Sequence, residues 1–189
     1  MSKSLYLSLA ILFFVGMAGA QVPSGNVFVG YSFENTNSST LDLNLSRANL
    51  HGWEASFEGK ILPLLGIVAD VSGHYGSQSF VEFPPAGPGP VTVNVTGHQQ
   101  EYLFGPRLSV PVGKLTPFGE ALFGAAHIHT GGTLPGPSNT SFATALGGGI
   151  EYRIFRPVAL RLEGDYIRTH FFNTTQNNVR LSTGLVLRF

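Results

Sequence analysis

Apolar and polar residues alternate with a period of two along most of the chain from residue 26 onward, broken by clusters of turn residues. The breaks divide it into eight segments, near 26–35, 49–61, 64–76, 98–110, 115–128, 141–154, 157–171 and 178–189. Strict alternation over such lengths predicts β-strands with two chemically different faces. In the second segment Trp53, Ala55, Phe57 and Gly59 oppose Glu54, Ser56, Glu58 and Lys60. In the seventh, Val158, Leu160, Leu162 and Tyr166 oppose Arg161, Glu163 and Asp165. The last sets Leu181, Leu185, Leu187 and the terminal Phe189 against Arg180, Ser182, Gly184 and Arg188.

The connections alternate in kind. "ILP", "PVGK" and "FRP" are tight, whereas "TNSSTLDLNLSRA", "SQSFVEFPPAGPGPVTVNVTG", "TGGTLPGPSN" and "NTTQNN" are longer and polar. Short turns at one end and long loops at the other predict an all-β, eight-stranded antiparallel up-and-down barrel of the transmembrane type. An even strand number places both termini on the short-turn side.

Residues 1–20, "MSKSLYLSLAILFFVGMAGA", carry a basic start, a short apolar run and an Ala-Gly-Ala end, the pattern of a secretory signal peptide. A membrane-anchoring helix is the rival reading, but the run is short and no basic cluster follows it. Residues 21–189 are then one barrel domain. Without Lys3, ten basic and eleven acidic residues remain, and that balance offers no footprint for nucleic acid. Cysteine is absent, so stability has to come from packing and backbone pairing. No later apolar run approaches the roughly 20 residues of a spanning helix.

Alternation alone does not say which face is outside, since a soluble barrel would turn its charges to water. Composition separates the two cases. A soluble surface is usually rich in lysine, yet only Lys60 and Lys114 follow residue 20. The charged face also carries many Gly, Ala and Ser, as a cramped interior requires. Its charges are of both signs and mostly Arg and Glu, suited to bidentate pairing in a confined space. The expectation is therefore apolar residues toward lipid and charges toward the lumen.

The segments "LFGPRLSV", "LTPFGEALFGAAH", "ALGGGIEYRI" and "QNNVRLSTGLVLRF" resemble the small outer-membrane β-barrel proteins of the OmpA transmembrane-domain and OmpX type over roughly residues 24–189. The resemblance implies a location in the bacterial outer membrane, contact with its lipid and lipopolysaccharide, and a monomer. It also implies that the last strand carries the signal read by the barrel-assembly machinery, mapped here onto Gly184, Leu185, Leu187 and Phe189. No peptidoglycan-binding domain follows the barrel, so a wall-tethering role does not carry over.

The predicted lumen face collects Glu34, Glu54, Glu58, Asp70, Glu101, Glu120, Glu151, Glu163 and Asp165 against Lys60, Arg107, Arg153, Arg161, Arg180 and Arg188. Two readings compete, an ion path and a hydrogen-bonded plug. An eight-stranded barrel is just wide enough for side chains to fill it, which favours the plug. All six histidines fall at the long-loop ends, and parity turns only His74 inward; His51, His98, His127, His129 and His170 face out. His127 and His129 share a face but lack a third metal ligand, so an interfacial belt is the simpler reading. A lipid-modifying enzyme would need a rim triad, for which "HIHT" with Ser141 and Glu120 is the nearest assembly, without the His-x-Ser spacing. Five Asn-x-Ser/Thr sites, at Asn37, Asn44, Asn94, Asn139 and Asn173, fit polar loops of a bacterial protein. Taken together, a structural or surface-interaction role comes first, a narrow porin-like channel second and a rim enzyme third. No catalytic residue, cofactor or metal is expected.

Overall fold

A computed structural model describes residues 24–36, 48–82, 91–132, 138–171 and 174–189. Residues 1–20, read above as a leader, and 83–90, read above as part of a loop, lie outside the described residues. Eight strands run in order: β1 (Gly25–Thr36), β2 (Ala48–Lys60), β3 (Leu65–Glu82), β4 (Val91–Ser109), β5 (Leu115–Gly132), β6 (Ser138–Phe155), β7 (Val158–Phe171) and β8 (Thr174–Arg188). Each pairs antiparallel with its neighbours in sequence, and β8 returns to β1 to close the barrel. No helix is long and apolar enough to cross a membrane among these residues, a fact with no bearing on strands.

The expected faces hold in the folded chain. Glu54, Ser56 and Glu58 are buried while Trp53 and Phe57 are exposed; Arg161, Glu163 and Asp165 are buried while Leu160, Leu162 and Tyr166 are exposed. This inverts the soluble pattern, in which charged side chains are almost never fully buried and large apolar patches are small. Ala and Gly on the inward face leave room for the charged side chains opposite them.

Five strands, β3, β4, β5, β6 and β8, extend further at their long-loop ends than turn residues alone suggest. The β3–β4 ladder continues through Ser77↔Thr96 to Glu82↔Val91, within what reads as loop. The run "VTVNVT" (91–96) explains it, since alternating β-branched residues favour a pleated ladder. Likewise β8 begins at Thr174 and pairs Phe171↔Thr174, so most of "NTTQNN" is strand. Asn94 and Asn139 consequently lie in β4 and β6 rather than in loops; Asn37, Asn44 and Asn173 fall outside the described residues.

The turns at the other end are tight. Val112 and Leu115 pair as an isolated bridge around Gly113 and Lys114, and Gly113 has φ 65°, the left-handed value a two-residue hairpin requires. A register shift between Arg153 and Phe155 marks the β6 end of the Arg156–Pro157 turn.

The seam pairs Asn26↔Arg188 through Asn35↔Val179. Gly25 and Phe189 exchange both backbone hydrogen bonds at 3.0 Å, so the terminal residue is paired to its end. The Phe189 ring stacks on Phe57 with centroids 6.1 Å apart, joining β8 to β2 across β1. Higher in the seam Gly30 faces Gly184, and a Cβ on Gly184 would stand 2.3 Å from Val29 O and 2.4 Å from Gly30 Cα. Two backbones therefore approach here as closely as glycine permits.

Gly184→Val should keep the barrel from closing, with overpacking costing about 1–3 kcal/mol or more at the seam. In detergent, the compact band that distinguishes unboiled from boiled protein on a gel should fade. A variant with wild-type heat-modifiable mobility would show that the seam tolerates a side chain.

Candidate functional site

The lumen is built from the inward residues of all eight strands. Its ion pairs and the side-chain hydrogen bonds that link them fall into two sets that share no member. Toward the short turns, Arg107 bonds Glu120 through Nε at 2.5 Å and reaches Glu163 at 3.4 Å and Glu58 at 3.6 Å. Arg161 donates to Glu151 from Nε (3.1 Å) and Nη2 (2.7 Å), and to Glu163 at 3.3 Å. Lys60 pairs with Glu58 at 2.5 Å, and Arg188 pairs with Glu151. Four carboxylates thus meet four cations.

Aromatic rings complete this lower network. The Arg107 guanidinium carbon lies 4.4 Å from the Phe118 ring centre, and that of Arg161 lies 4.6 Å from Phe28 and 5.1 Å from Phe118. A planar guanidinium can take carboxylates at its edge and a ring on its face, which Lys could not do. Phe28 packs with Ala159 and Val186 and is fully buried.

Toward the long loops the balance differs. Arg180, wholly buried, donates to Asp165 from Nε (3.0 Å) and Nη2 (2.8 Å), and from Nη1 to Asp70 (2.9 Å) and Ser72 (3.1 Å). Glu54 and Glu101 stand 3.4 and 3.5 Å away. Glu34 completes the set: it accepts from Gln99 at 2.9 Å and Asn178 at 2.7 Å and lies 3.1 Å from His74 Nδ1. Five carboxylates therefore share one guanidinium and one imidazole.

Beside this polar column runs an inward apolar cluster of Val68, Leu103, Leu122, Ala126, Ala143, Ala145, Ile167 and Phe171. Period-two reading by charge misses it. Its signal is the short unbroken apolar run, such as Ile67-Val68-Ala69 or Ala121-Leu122-Phe123, which marks a strand apolar on both faces.

Of the residues assigned to the lumen network, Glu54, Glu58, Asp70, Arg107, Glu120, Glu151, Arg161, Glu163, Asp165, Arg180 and Arg188 meet there. Arg153 does not. It pairs in register with Ala159 at the turn end of β6, where its Nη2 donates to Gly113 O at 2.8 Å in the neighbouring turn instead of to an acid of the network. The rim assembly also stays apart: His127 Nδ1 lies 2.7 Å from Thr140 Oγ1, the Ser141 hydroxyl is engaged with Phe142 O and His170 N–H, and Glu120 sits with Arg107. Of the residues onto which the resemblance maps an assembly signal, Gly184 and Phe189 pair in the seam, and Leu185 and Leu187 are exposed on its outer face.

A triad-like grouping emerges that the sequence did not suggest: Ser32 Oγ lies 2.8 Å from His74 Nε2, and Glu34 Oε2 lies 3.1 Å from His74 Nδ1 without a hydrogen bond between them. All three are fully buried, so no acyl group could reach the hydroxyl.

No protein-family model matches the chain, and no curated protein matches it. Among solved structures, Neisserial surface protein A aligns at TM-score 0.62 and 15% identity, over 87% of this chain and 97% of that one. The attachment invasion locus protein Ail of Yersinia pestis aligns at 0.55 and 11%, over 89% and 100%. The outer membrane protease OmpT from Escherichia coli aligns at 0.50 and 10%, over 89% and 98%. At these identities the likeness concerns fold: the chain has the architecture of the small eight-stranded barrels, with a charged network buried in its interior.

Arg180→Met should destabilise the barrel by about 3–5 kcal/mol, because it strands several buried carboxylates at once. Lys60→Met, at a partly solvated end of the other network, should cost no more than about 1 kcal/mol. Urea unfolding in detergent measures both, and equal effects would contradict the division into two networks.

Proposed function

We propose that this protein resides in the bacterial outer membrane and serves a structural and surface-interaction role, with a lumen closed by its own side chains. One observation carries the reading. The exterior is a continuous apolar surface, while three arginines and nine carboxylates are buried inside. Only a lipid surround makes that arrangement favourable. The alternation in connection length, the similarity in fold to Ail and Neisserial surface protein A, and the leader-like residues 1–20 agree with it.

In this reading the outward rim meets lipid headgroups. His51, His98, His129 and His170 are exposed there, and Arg168 points outward nearby. Such groups favour an interface rich in anionic headgroups, including those of lipopolysaccharide. Phe189 and the outward Leu185 and Leu187 supply the terminal pattern for the assembly machinery, and one closed barrel leaves no edge that calls for a second copy. Enzyme activity has no support from the geometry, since the rim assembly is dispersed and the Ser32 grouping is sealed.

A narrow channel is the second reading, favoured by the acid surplus around Arg180. Against it, the lower lumen is filled by Phe28, Phe118 and the arginines stacked on them. Purified protein in a planar bilayer should therefore give no resolved conductance steps. Regular cation-selective steps would replace the plug by a channel.

A further inference from the structure

The two interior networks differ in charge, and the difference has a location. The lower network is balanced four against four. In the upper one Glu54, Asp70, Glu101 and Asp165 share Arg180, and Glu34 has only the His74 imidazole beside it. Unpaired carboxylates in a low-dielectric interior are costly, so this half of the lumen calls for further positive charge. The groups best placed to receive it are Glu34, His74 and Glu101, whose ligand atoms lie within 4.8 Å of one another, all fully buried.

The imidazole supplies a second and independent indication. His74 Nδ1 makes no hydrogen bond, although Glu34 Oε2 is only 3.1 Å away. The two atoms are close without pointing at each other, as ligands to a common centre are. Donors about 2.0–2.2 Å from a metal ion stand roughly 3–4 Å apart, so closing this set takes a movement of roughly 1 Å.

The surroundings match what a metal-bound histidine and carboxylates need. His74 Nε2 can donate to Ser32 Oγ at 2.8 Å, leaving the Nδ1 lone pair free. Gln99 Nε2 bridges Glu34 (2.9 Å) and Glu101 (3.0 Å), Asn178 donates to Glu34 (2.7 Å), and Ser72 donates to Glu101 (3.0 Å). These bonds hold both carboxylates facing the ring.

We infer that the upper lumen is a binding site for one divalent transition-metal ion, held by His74 Nδ1 and the Glu34 and Glu101 carboxylates. One imidazole with two carboxylates suits zinc and its first-row neighbours better than the all-oxygen shells of calcium or magnesium. The other carboxylate cluster, Glu120, Glu163 and Asp165, is a weaker candidate because two of its members belong to the balanced network.

The test is zinc uptake by the full chain, folded in detergent with zinc sulfate, desalted and measured by elemental analysis and titration. One zinc per barrel is expected, retained in excess magnesium. Affinity should fall at least about 10-fold in Ser32→Ala, which removes the hydroxyl that holds the His74 ring in place, and binding should be lost in His74→Ala. If His74→Ala does not reach the heat-modifiable form, Glu101→Gln, nearly the same size, is held to the same criterion. The outward His98 and His129 face each other across β4 and β5, so a His98→Ala/His127→Ala/His129→Ala variant serves as control and should bind as wild type. Absence of stoichiometric zinc in wild type, uptake unchanged by the lumen variants, or uptake lost in the rim control would each overturn the inference. Failure here leaves the membrane reading intact, because that reading rests on the exterior.

Discussion

The interior of an eight-stranded barrel is too narrow for bulk water, so an inward charge has to be met by another inward group. Most of this structure follows from that constraint. Arg107, Arg161 and Arg180 come from β4, β7 and β8, and each is bound by acids from several strands. The closed sheet fixes relative strand positions to the register, and the ion pairs hold strands together across the lumen where no backbone ladder reaches. Removing one guanidinium therefore acts at long range through the fold.

The exterior obeys a different rule. In the proposed membrane setting no water reaches the backbone, so every backbone group must be paired, and closure through β1 and β8 achieves this without an edge. Close backbone approach at Gly30 and Gly184 and the last hydrogen bonds between Gly25 and Phe189 are the local expression of that need. A terminal aromatic residue at the end of a strand would be a liability on a soluble protein. Here it is paired, stacked on Phe57, and faces outward with the other apolar side chains.

The lumen is also uneven. The short-turn half is neutral and filled with rings, and the long-loop half holds more acid than base beside a wall of aliphatic side chains. A plug built only for stability would gain nothing from a surplus of carboxylates at one end, since buried ion pairs contribute little net energy even when balanced. That asymmetry is what the proposed metal ion would offset.

The sequence by itself determined the strand number, the alternation of faces, the direction in which those faces point and the membership of most of the charged network. Period-two patterning and the shortage of lysine are local and compositional properties, and a sheet preserves them regardless of its partners. Tertiary structure decided the rest. Which acid meets which arginine depends on register and barrel stagger, so the split into a balanced and an acid-rich network could not be read from the chain. Arg153 is drawn to Gly113 O because the β4–β5 turn lies beside the end of β6, and the meeting of Glu34, His74 and Glu101 came from three strands bending round to one side of a closed wall. Contacts across a lumen join residues far apart in sequence, and only closure brings them within bonding distance.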